Sequence, residues 1–215
     1  APADGDSVIA ATGPNGYIDD IIILPNDAVG AAGNMLGDIT ATSFIDDISI
    51  AGDLFGDITI DGLNRGDELA LDNFTLGGSL GRGSLDITGD VDRIEVLGSL
   101  GDPDDIDVAD ELRIDGDLRV LIVGAGLDGA TLALDVVVTG AFDDLIVNGR
   151  VTGDVTIMGG ADQIQITADD LTRRSTVLAG DLTVGGRLND LRVTGGDIGP
   201  VRVVVGDGMD DLLLT

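Results

Sequence analysis

The sequence predicts an all-β, single-domain parallel β-helix, also called a β-solenoid, built from short strand-turn modules with no significant helix. A phrase of the form Φ-x-Φ-x-G-x-Φ, where Φ is aliphatic, returns roughly every ten residues. Its clearest copies begin at Leu182 and Leu191. A unit this short cannot bury its apolar side alone, so successive units must stack on one another.

Each Φ-x-Φ segment is expected to be a strand with both apolar side chains on one face. The following Gly turns the chain sharply, and the third apolar residue points back inside. The repeat continues through many further segments, which begin at Ile48, Ile58, Leu85, Ile94, Leu145 and Val155.

Two kinds of lead-in precede the strands. One is Gly-Asp, at Gly37-Asp38, Gly56-Asp57, Gly116-Asp117, Gly153-Asp154 and Gly180-Asp181. The other is a pair of acids, at Asp19-Asp20, Asp46-Asp47, Asp104-Asp105, Asp143-Asp144 and Asp210-Asp211. The two alternate in the clearest stretches, which indicates a larger unit of two or more modules. Three modules per coil would give a triangular cross-section and two a flatter one; the sequence leaves both open.

The main rival architecture is a sandwich or barrel of short strands. The repeat is too constant for that, and hairpin signals are missing between most strands. We expect residues 1–16 to form a flexible arm or cap and residues 17–215 to form the solenoid. Residues 18–24 should be a strand that Pro25 ends. Residues 168–178 and the gap between Leu118 and Leu132 are expected to be irregular insertions.

The charge of the chain restricts its partners. It carries 40 acidic residues against 11 Arg, for a net charge of −29, and it lacks Lys, His and Cys. This balance disfavours nucleic acid and anionic membranes, and no apolar run of about 18 residues predicts a membrane-spanning helix. The missing side chains exclude the usual nucleophile–base pairs and most zinc sites. Self-repulsion on this scale needs screening by cations, which favours a salty or calcium-containing exterior.

The start of the chain at Ala1 fits a mature protein after removal of a signal peptide, although a trimmed chain would look the same. The absence of Cys does not itself fix the compartment, because many secreted proteins lack it. We therefore expect an extracellular or cell-surface location.

The acid pairs are the candidate metal ligands. If they stack in register, they form columns of carboxylates that Ca²⁺ could bridge. The alternative is a solvated acidic edge with mobile counterions, and no cofactor is expected to be required. The candidate Ca²⁺ ligands are Asp46, Asp47, Asp104, Asp105, Asp143, Asp144, Asp210 and Asp211. Asn73-Phe74-Thr75 fits a glycosylation sequon, although such triplets also arise by chance in strands.

The final residues match the strand of the repeat but end before the rest of the repeat unit. Neither end of the sequence shows an amphipathic capping helix. An uncapped solenoid end offers unpaired backbone for strand addition. A head-to-tail contact of this kind does not close, so it generates a fibre of identical subunits. The residues expected to carry the assembly are Ile18, Ile21, Ile22, Ile23, Leu212, Leu213 and Leu214.

The phrase from Gly180 to Leu188 resembles the β-solenoid repeats of very large secreted bacterial surface proteins, and it is distantly similar to bactofilins, which are polymer-forming β-helices. The resemblance covers most of residues 37–215 and implies no catalytic residues. The expected function is a structural subunit of an extracellular filament or surface sheath. The alternatives are a stalk or adhesin spacer and, third, a polysaccharide-acting enzyme. An enzyme is disfavoured because the acid pairs are spread evenly and aromatic platforms are few.

Overall fold

A computed structural model describes residues 7–13, 16–25, 32–62, 69–102, 110–125, 129–168 and 176–215. The described residues confirm the predicted all-β solenoid: they contain strands and turns but no helix. Every pairing between their strands is parallel. The chain therefore coils around one axis, and each coil crosses three faces.

Face 1 consists of the strands that follow one corner of the coil. Most of the Gly-Asp lead-ins lie at this corner. Its strands are β1 (Ser7–Ala11), β3 (Met35–Ala41), β6 (Ile58–Asp61), β9 (Leu85–Thr88), β11 (Glu111–Asp115), β14 (Asp135–Val138), β17 (Val155–Ile157), β20 (Leu182–Val184) and β23 (Val203–Val205).

Face 2 is a nine-stranded sheet that contains the described acid pairs. Its strands are β2 (Ile18–Ile23), β4 (Ile45–Ile50), β7 (Leu71–Leu76), β10 (Val91–Val96), β12 (Leu118–Val123), β15 (Phe142–Val147), β18 (Ala161–Thr167), β21 (Arg187–Thr194) and β24 (Gly208–Leu214).

Face 3 is the narrowest, because each coil contributes at most three residues to it. It begins with Met35 and Leu36 of β3, which turn the corner and pair with β5. Leu100 bridges the two halves of the face without a strand of its own. The remaining strands are β5 (Leu54–Phe55), β8 (Leu80–Arg82), β13 (Ala130–Leu132), β16 (Gly149–Val151), β19 (Thr176–Leu178) and β22 (Asp197–Ile198).

The interior consists of columns of aliphatic side chains, because parallel pairing places like residues over like residues at about 4.8 Å. Ile39, Ile58 and Leu85 are successive partners in one column of face 1, and each is fully buried. The third apolar residue of the phrase points inward as predicted; Leu54 and Leu188 are both fully buried. The three-faced coil settles the number of modules per coil that the sequence left open.

The Asp at the corner before face 1 accepts a hydrogen bond from the next coil, in Gly-Asp lead-ins and also at Leu134-Asp135. The backbone N–H of Asp154 donates to Oδ1 of Asp135, and the N–H of Asp181 donates to Oδ1 of Asp154, both at 2.8 Å. Asp181 in turn accepts from the N–H of Arg202. The partners lie 19 and 27 residues apart, since coils differ in length. These carboxylates satisfy corner N–H groups that the strands leave unpaired.

The other two corners use the same device with different side chains. Between faces 2 and 3, Asn34, Asp53 and Ser79 accept in turn from the N–H groups of Asp53, Ser79 and Ser99. Between faces 1 and 2, Oδ1 of Asp90 accepts from the N–H of Asp117. Gly116-Asp117 is thus the exception among the Gly-Asp lead-ins, because it precedes a strand of face 2 rather than of face 1.

The structure corrects the expectation for the N-terminal residues and narrows the two expected insertions to shorter segments. Residues 7–11, expected within a flexible arm, form β1 and pair along β3, because Ile9 packs inward over Ile39. The solenoid therefore begins before residue 17. Within 168–178, residues 176–178 form β19, while 169–175 lie outside the described residues. Leu118 begins β12, so the insertion before Leu132 is confined to the corner between β12 and β13, of which residues 126–128 are not described.

Candidate functional site

The strands of face 2 carry the acid pairs because their pattern is Φ-x-x-Φ-x-Φ. In β4, Ile45, Ile48 and Ile50 are buried, whereas Asp46 and Asp47 both point outward. Two outward neighbours break strict alternation, so the sheet register passes from the Ile18–Ile45 pair directly to the Asp20–Asp47 pair. The acid pairs thus lie inside these strands rather than leading into them.

The two outward positions of successive strands form two columns along face 2, in which β2, β4, β15 and β24 carry a full acid pair. Column I takes the first of the two adjacent outward positions of each strand and contains Asp19, Asp46, Asp72, Asp92, Arg119, Asp143, Asp162, Asn189 and Asp210. Column II takes the second of these positions and contains Asp20, Asp47, Asn73, Arg93, Val120, Asp144, Gln163, Asp190 and Asp211.

Arg and Asn side chains compensate part of the negative charge of column I between its middle and its C-terminal end. The Arg119 guanidinium pairs with Asp92 of the preceding coil, and one of its bonds measures 2.7 Å. Arg187 pairs with Asp210, and the Asn189 amide donates to Oδ1 of Asp162 at 2.8 Å. The hydrogen bond from Arg187 lowers the pKa of Asp210.

The N-terminal part of column I has no such partner among the described residues. Burial and the neighbouring carboxylates Asp72 and Asp19 raise the pKa of Asp46. Burial, followed by Asp47 and Asp92, raises the pKa of Asp72. Asp46 and Asp72 also line an open cavity of about 360 Å³ together with Phe44 and Leu69. Burial and the neighbouring carboxylates Asp162 and Asp144 raise the pKa of Asp143 in the same way, so like charges repel one another in the middle of column I as well as near the first coils.

The described acid pairs are not assembled into a chelating group. Among the residues that the structure describes, no three or more acidic side chains are arranged to hold a metal ion. Six of the eight candidate ligands lie in columns I and II, namely Asp46, Asp47, Asp143, Asp144, Asp210 and Asp211. The candidates Asp104 and Asp105 lie outside the described residues.

The candidate glycosylation residue Asn73 is an exposed member of column II. Its amide donates to Oδ1 of Asp47 at 2.8 Å, so it bridges adjacent coils. Phe74, the next residue, is fully buried in the core. The triplet is therefore a segment of strand β7, and whether it carries a glycan stays a prediction.

The last coil leaves the core of the solenoid uncovered. Val203, Leu212 and Leu214 occupy inward positions, because they pair with the buried Leu182, Leu191 and Val193. They are nevertheless 41%, 57% and 51% exposed. With Ile198, Leu191 and Val193 they line an apolar cavity of about 300 Å³. The described chain thus presents a cross-section of its own core at this end.

The first coil is more enclosed. Ile21 occupies the same inward column as Leu212, yet it is only 6% exposed. Ile9, Ile18 and Ile23 are half-buried against the core. Exposed apolar side chains are found here on the outside instead, at Val8, Tyr17, Ile22 and Leu24. The Tyr17 ring stacks on Phe44 with centroids 5.0 Å apart. The two ends therefore differ in what they expose.

The structure locates the predicted assembly residues on the first and last strands of face 2. Sequence reasoning missed Ile198, Val203 and Val204, which extend the exposed apolar surface of the last coil over the other two faces. The phrase beginning at Val201 was the available signal, since it continues the repeat into the same coil. The neutralising role of Arg119 was missed because it depends on the register between coils.

The chain matches no protein-family model, no curated protein and no solved structure. None of the described residues forms a helix that could cross a membrane.

Proposed function

We propose that this protein is a structural subunit of an extracellular filament or surface sheath, and that it polymerises through the open end of its solenoid. The observation that carries the proposal is the exposure of Val203, Leu212 and Leu214 at inward positions. Equivalent residues one coil earlier are at most 2% exposed. A further coil laid over this end would bury them in the same way.

The backbone at this end supports the same conclusion. β23 and β24 each pair on one side only, with β20 and β21. Unpaired strand edges beside exposed apolar side chains favour association with further strands. Since the coil geometry repeats, another solenoid coil is the surface that fits both the edges and the open core.

The charge of the protein supports an exterior, salt-rich setting. A net charge of −29 opposes close packing of copies unless cations screen it. We propose that the acid columns of face 2 hold cations diffusely, Ca²⁺ among them, and so permit lateral packing into a sheath. Acidic residues recur in most strands of this face, and this fits a repeated surface better than a single catalytic centre.

Polymerisation is tested by sedimentation and electron microscopy of the purified chain over a range of salt concentrations. We expect filaments from the wild type and monomers from Leu212→Asp, because a charge cannot be buried unpaired at the junction. Met158→Asp is the matched control: Met158 is also 57% exposed, but it lies between β17 and β18, far from the ends. Circular dichroism confirms that each variant is folded.

A second candidate is a spacer in a stalk or adhesin. The same open coil favours it, because a longer solenoid in one polypeptide would also cover the exposed core. A wild-type chain that stays monomeric at every salt and protein concentration would reject the filament subunit in favour of the spacer.

A further inference from the structure

We propose that the coil covering the open end is the first coil of a second copy, joined in parallel register. β2 of the second copy would lie beside β24, and its β1 would lie beside β23. This inference rests on the proposed function and specifies its junction, including its direction along the filament and the residues that meet.

The two end strands of face 2 match position by position. β2 reads Ile-Asp-Asp-Ile-Ile-Ile, and the last six residues of β24 read Met-Asp-Asp-Leu-Leu-Leu. Continuing the register past β24 stacks Leu212 on Ile21 and Leu214 on Ile23 of the second copy. The columns of inward-facing aliphatic side chains would then continue across the junction.

The outward position between these two inward residues supplies an independent argument. Within the chain, apolar residues at this position occur as a stacked pair, Ile122 against Ile146. The strands on either side of that pair carry Glu95 and Gln165 there. Ile22 and Leu213 are apolar at the same position but stand alone at opposite ends, 61% and 45% exposed. The parallel junction makes them a stacked pair.

Face 1 gives weaker support. The middle outward residue of its strands is Thr in β3, β6, β17 and β20. It is apolar in both end strands, at the exposed Ala10 of β1 and Val204 of β23, and also inside the solenoid, at the half-buried Val137 of β14. The junction would bring the apolar residues of the two end strands together on this face.

Charge favours this direction over a contact between two N-terminal ends. Residues 1–64 contain eleven acidic residues and no Lys or Arg, so two such ends would repel each other. Residues 181–215 carry Arg187, Arg192 and Arg202 against six Asp, so the C-terminal end is less strongly negative than the N-terminal end. Since Ile21 is already shielded, most of the apolar surface covered at the junction belongs to the C-terminal coil.

Disulfide cross-linking tests the register of the junction. Because the protein has no native Cys, only the introduced thiols can form disulfides. Neighbouring residues on parallel strands are about 4.8 Å apart, within the range that a disulfide spans. We expect the double variant Leu213→Cys/Ile22→Cys to give a ladder of covalent multimers under mild oxidation. A mixture of the two single variants should give covalent dimers only. As a register control, Leu213→Cys/Leu24→Cys places the second thiol two residues along and should cross-link far less.

The possible results of this experiment distinguish an error in the proposed junction from an error in the proposed function. Filaments without cross-linking through Leu213→Cys/Ile22→Cys would overturn the register and leave the filament subunit standing. Efficient covalent dimers from Leu213→Cys alone would overturn the direction, because they require two C-terminal ends to meet. Absence of any wild-type polymer would remove both the junction and the filament subunit.

Discussion

At the scale of single residues, the corner carboxylates explain much of the preference of this chain for Asp. Asp154 donates its own N–H to Asp135 and accepts the N–H of Asp181, so it links three successive coils. The short side chain of Asp reaches the next coil from a turn, as Asx residues do within turns. The sequence predicted Asp for turns, but not its partner, which lies 27 residues away and leaves no local pattern.

Replacing Asp154 with Ala should destabilise the fold by about 1 kcal/mol, because the N–H of Asp181 loses its acceptor. Asp154→Asn keeps an acceptor oxygen at the same place and should stay close to the wild type. Urea unfolding at pH 7 measures both free energies of unfolding. Equal losses in the two variants would show that the charge of Asp154, and not its hydrogen bond, is what matters.

Close backbone contacts between coils make certain glycines indispensable. A Cβ on Gly180 would lie 1.9 Å from the carbonyl oxygen of Gly153, whereas a Cβ on Gly13 would meet nothing within 4 Å. We expect Gly180→Ala to cost about 3 kcal/mol, since the coils must separate locally, and Gly13→Ala to change stability by less than about 0.5 kcal/mol. Thermal melting compares them. A Gly180→Ala variant as stable as Gly13→Ala would contradict the close approach of the coils.

At the scale of elements, face 2 was the most predictable part of the fold and face 3 the least. The strands of face 2 have two or three apolar positions at fixed spacing, which sequence periodicity detects. Some coils contribute a single buried residue to face 3, such as Leu100. A single residue cannot show the hydrophobic periodicity from which strands are predicted. The number of faces per coil could therefore not be predicted. The acid columns were a hypothesis that depended on the register between coils, although each acid pair occupies the same two outward positions of its strand.

The acid columns impose a pH dependence whose sign follows from their pKa shifts. Burial and like charges raise the pKa of Asp46 and Asp72 above that of Asp in the unfolded chain. The folded state therefore binds these protons more tightly than the unfolded state. Their contribution to stability is fully present below the unfolded pKa and is lost as the pH rises through the folded pKa.

Asp46→Asn should therefore stabilise the protein at pH 7 by a few tenths of a kcal/mol, as expected for the removal of one like-charge contact in a sheet. The gain should vanish below about pH 3, where the carboxyl group is protonated in both states. Asp210→Asn serves as the control of opposite sign, because Arg187 lowers the pKa of Asp210. Urea unfolding at several pH values measures both. A gain from Asp46→Asn that persists at low pH would show that repulsion is not its cause.

At the scale of the whole molecule, charge and apolar exposure are both distributed unevenly along the axis. The N-terminal coils carry acids without Lys or Arg through residue 64, and the C-terminal coil exposes the core. A molecule with two different ends can add copies in one direction indefinitely, because the contact does not close on itself. The sequence predicted an unfinished last strand, while the enclosure of Ile21 at the other end required the structure.

The net charge of −29 predicts that cations stabilise the folded protein, and the same screening would favour the proposed polymers. The melting temperature should rise as NaCl increases from low to high concentration, because screening weakens repulsion within columns I and II. Since no described group of three acids is arranged to hold a metal, CaCl₂ and MgCl₂ at equal ionic strength should act alike, and a chelator at fixed ionic strength should leave the melting curve unchanged. A rise specific to Ca²⁺ that the chelator reverses would instead assign a defined calcium site. Repeating the measurement with Asp46→Asn and Asp143→Asn would then distinguish the N-terminal from the central part of column I as its location.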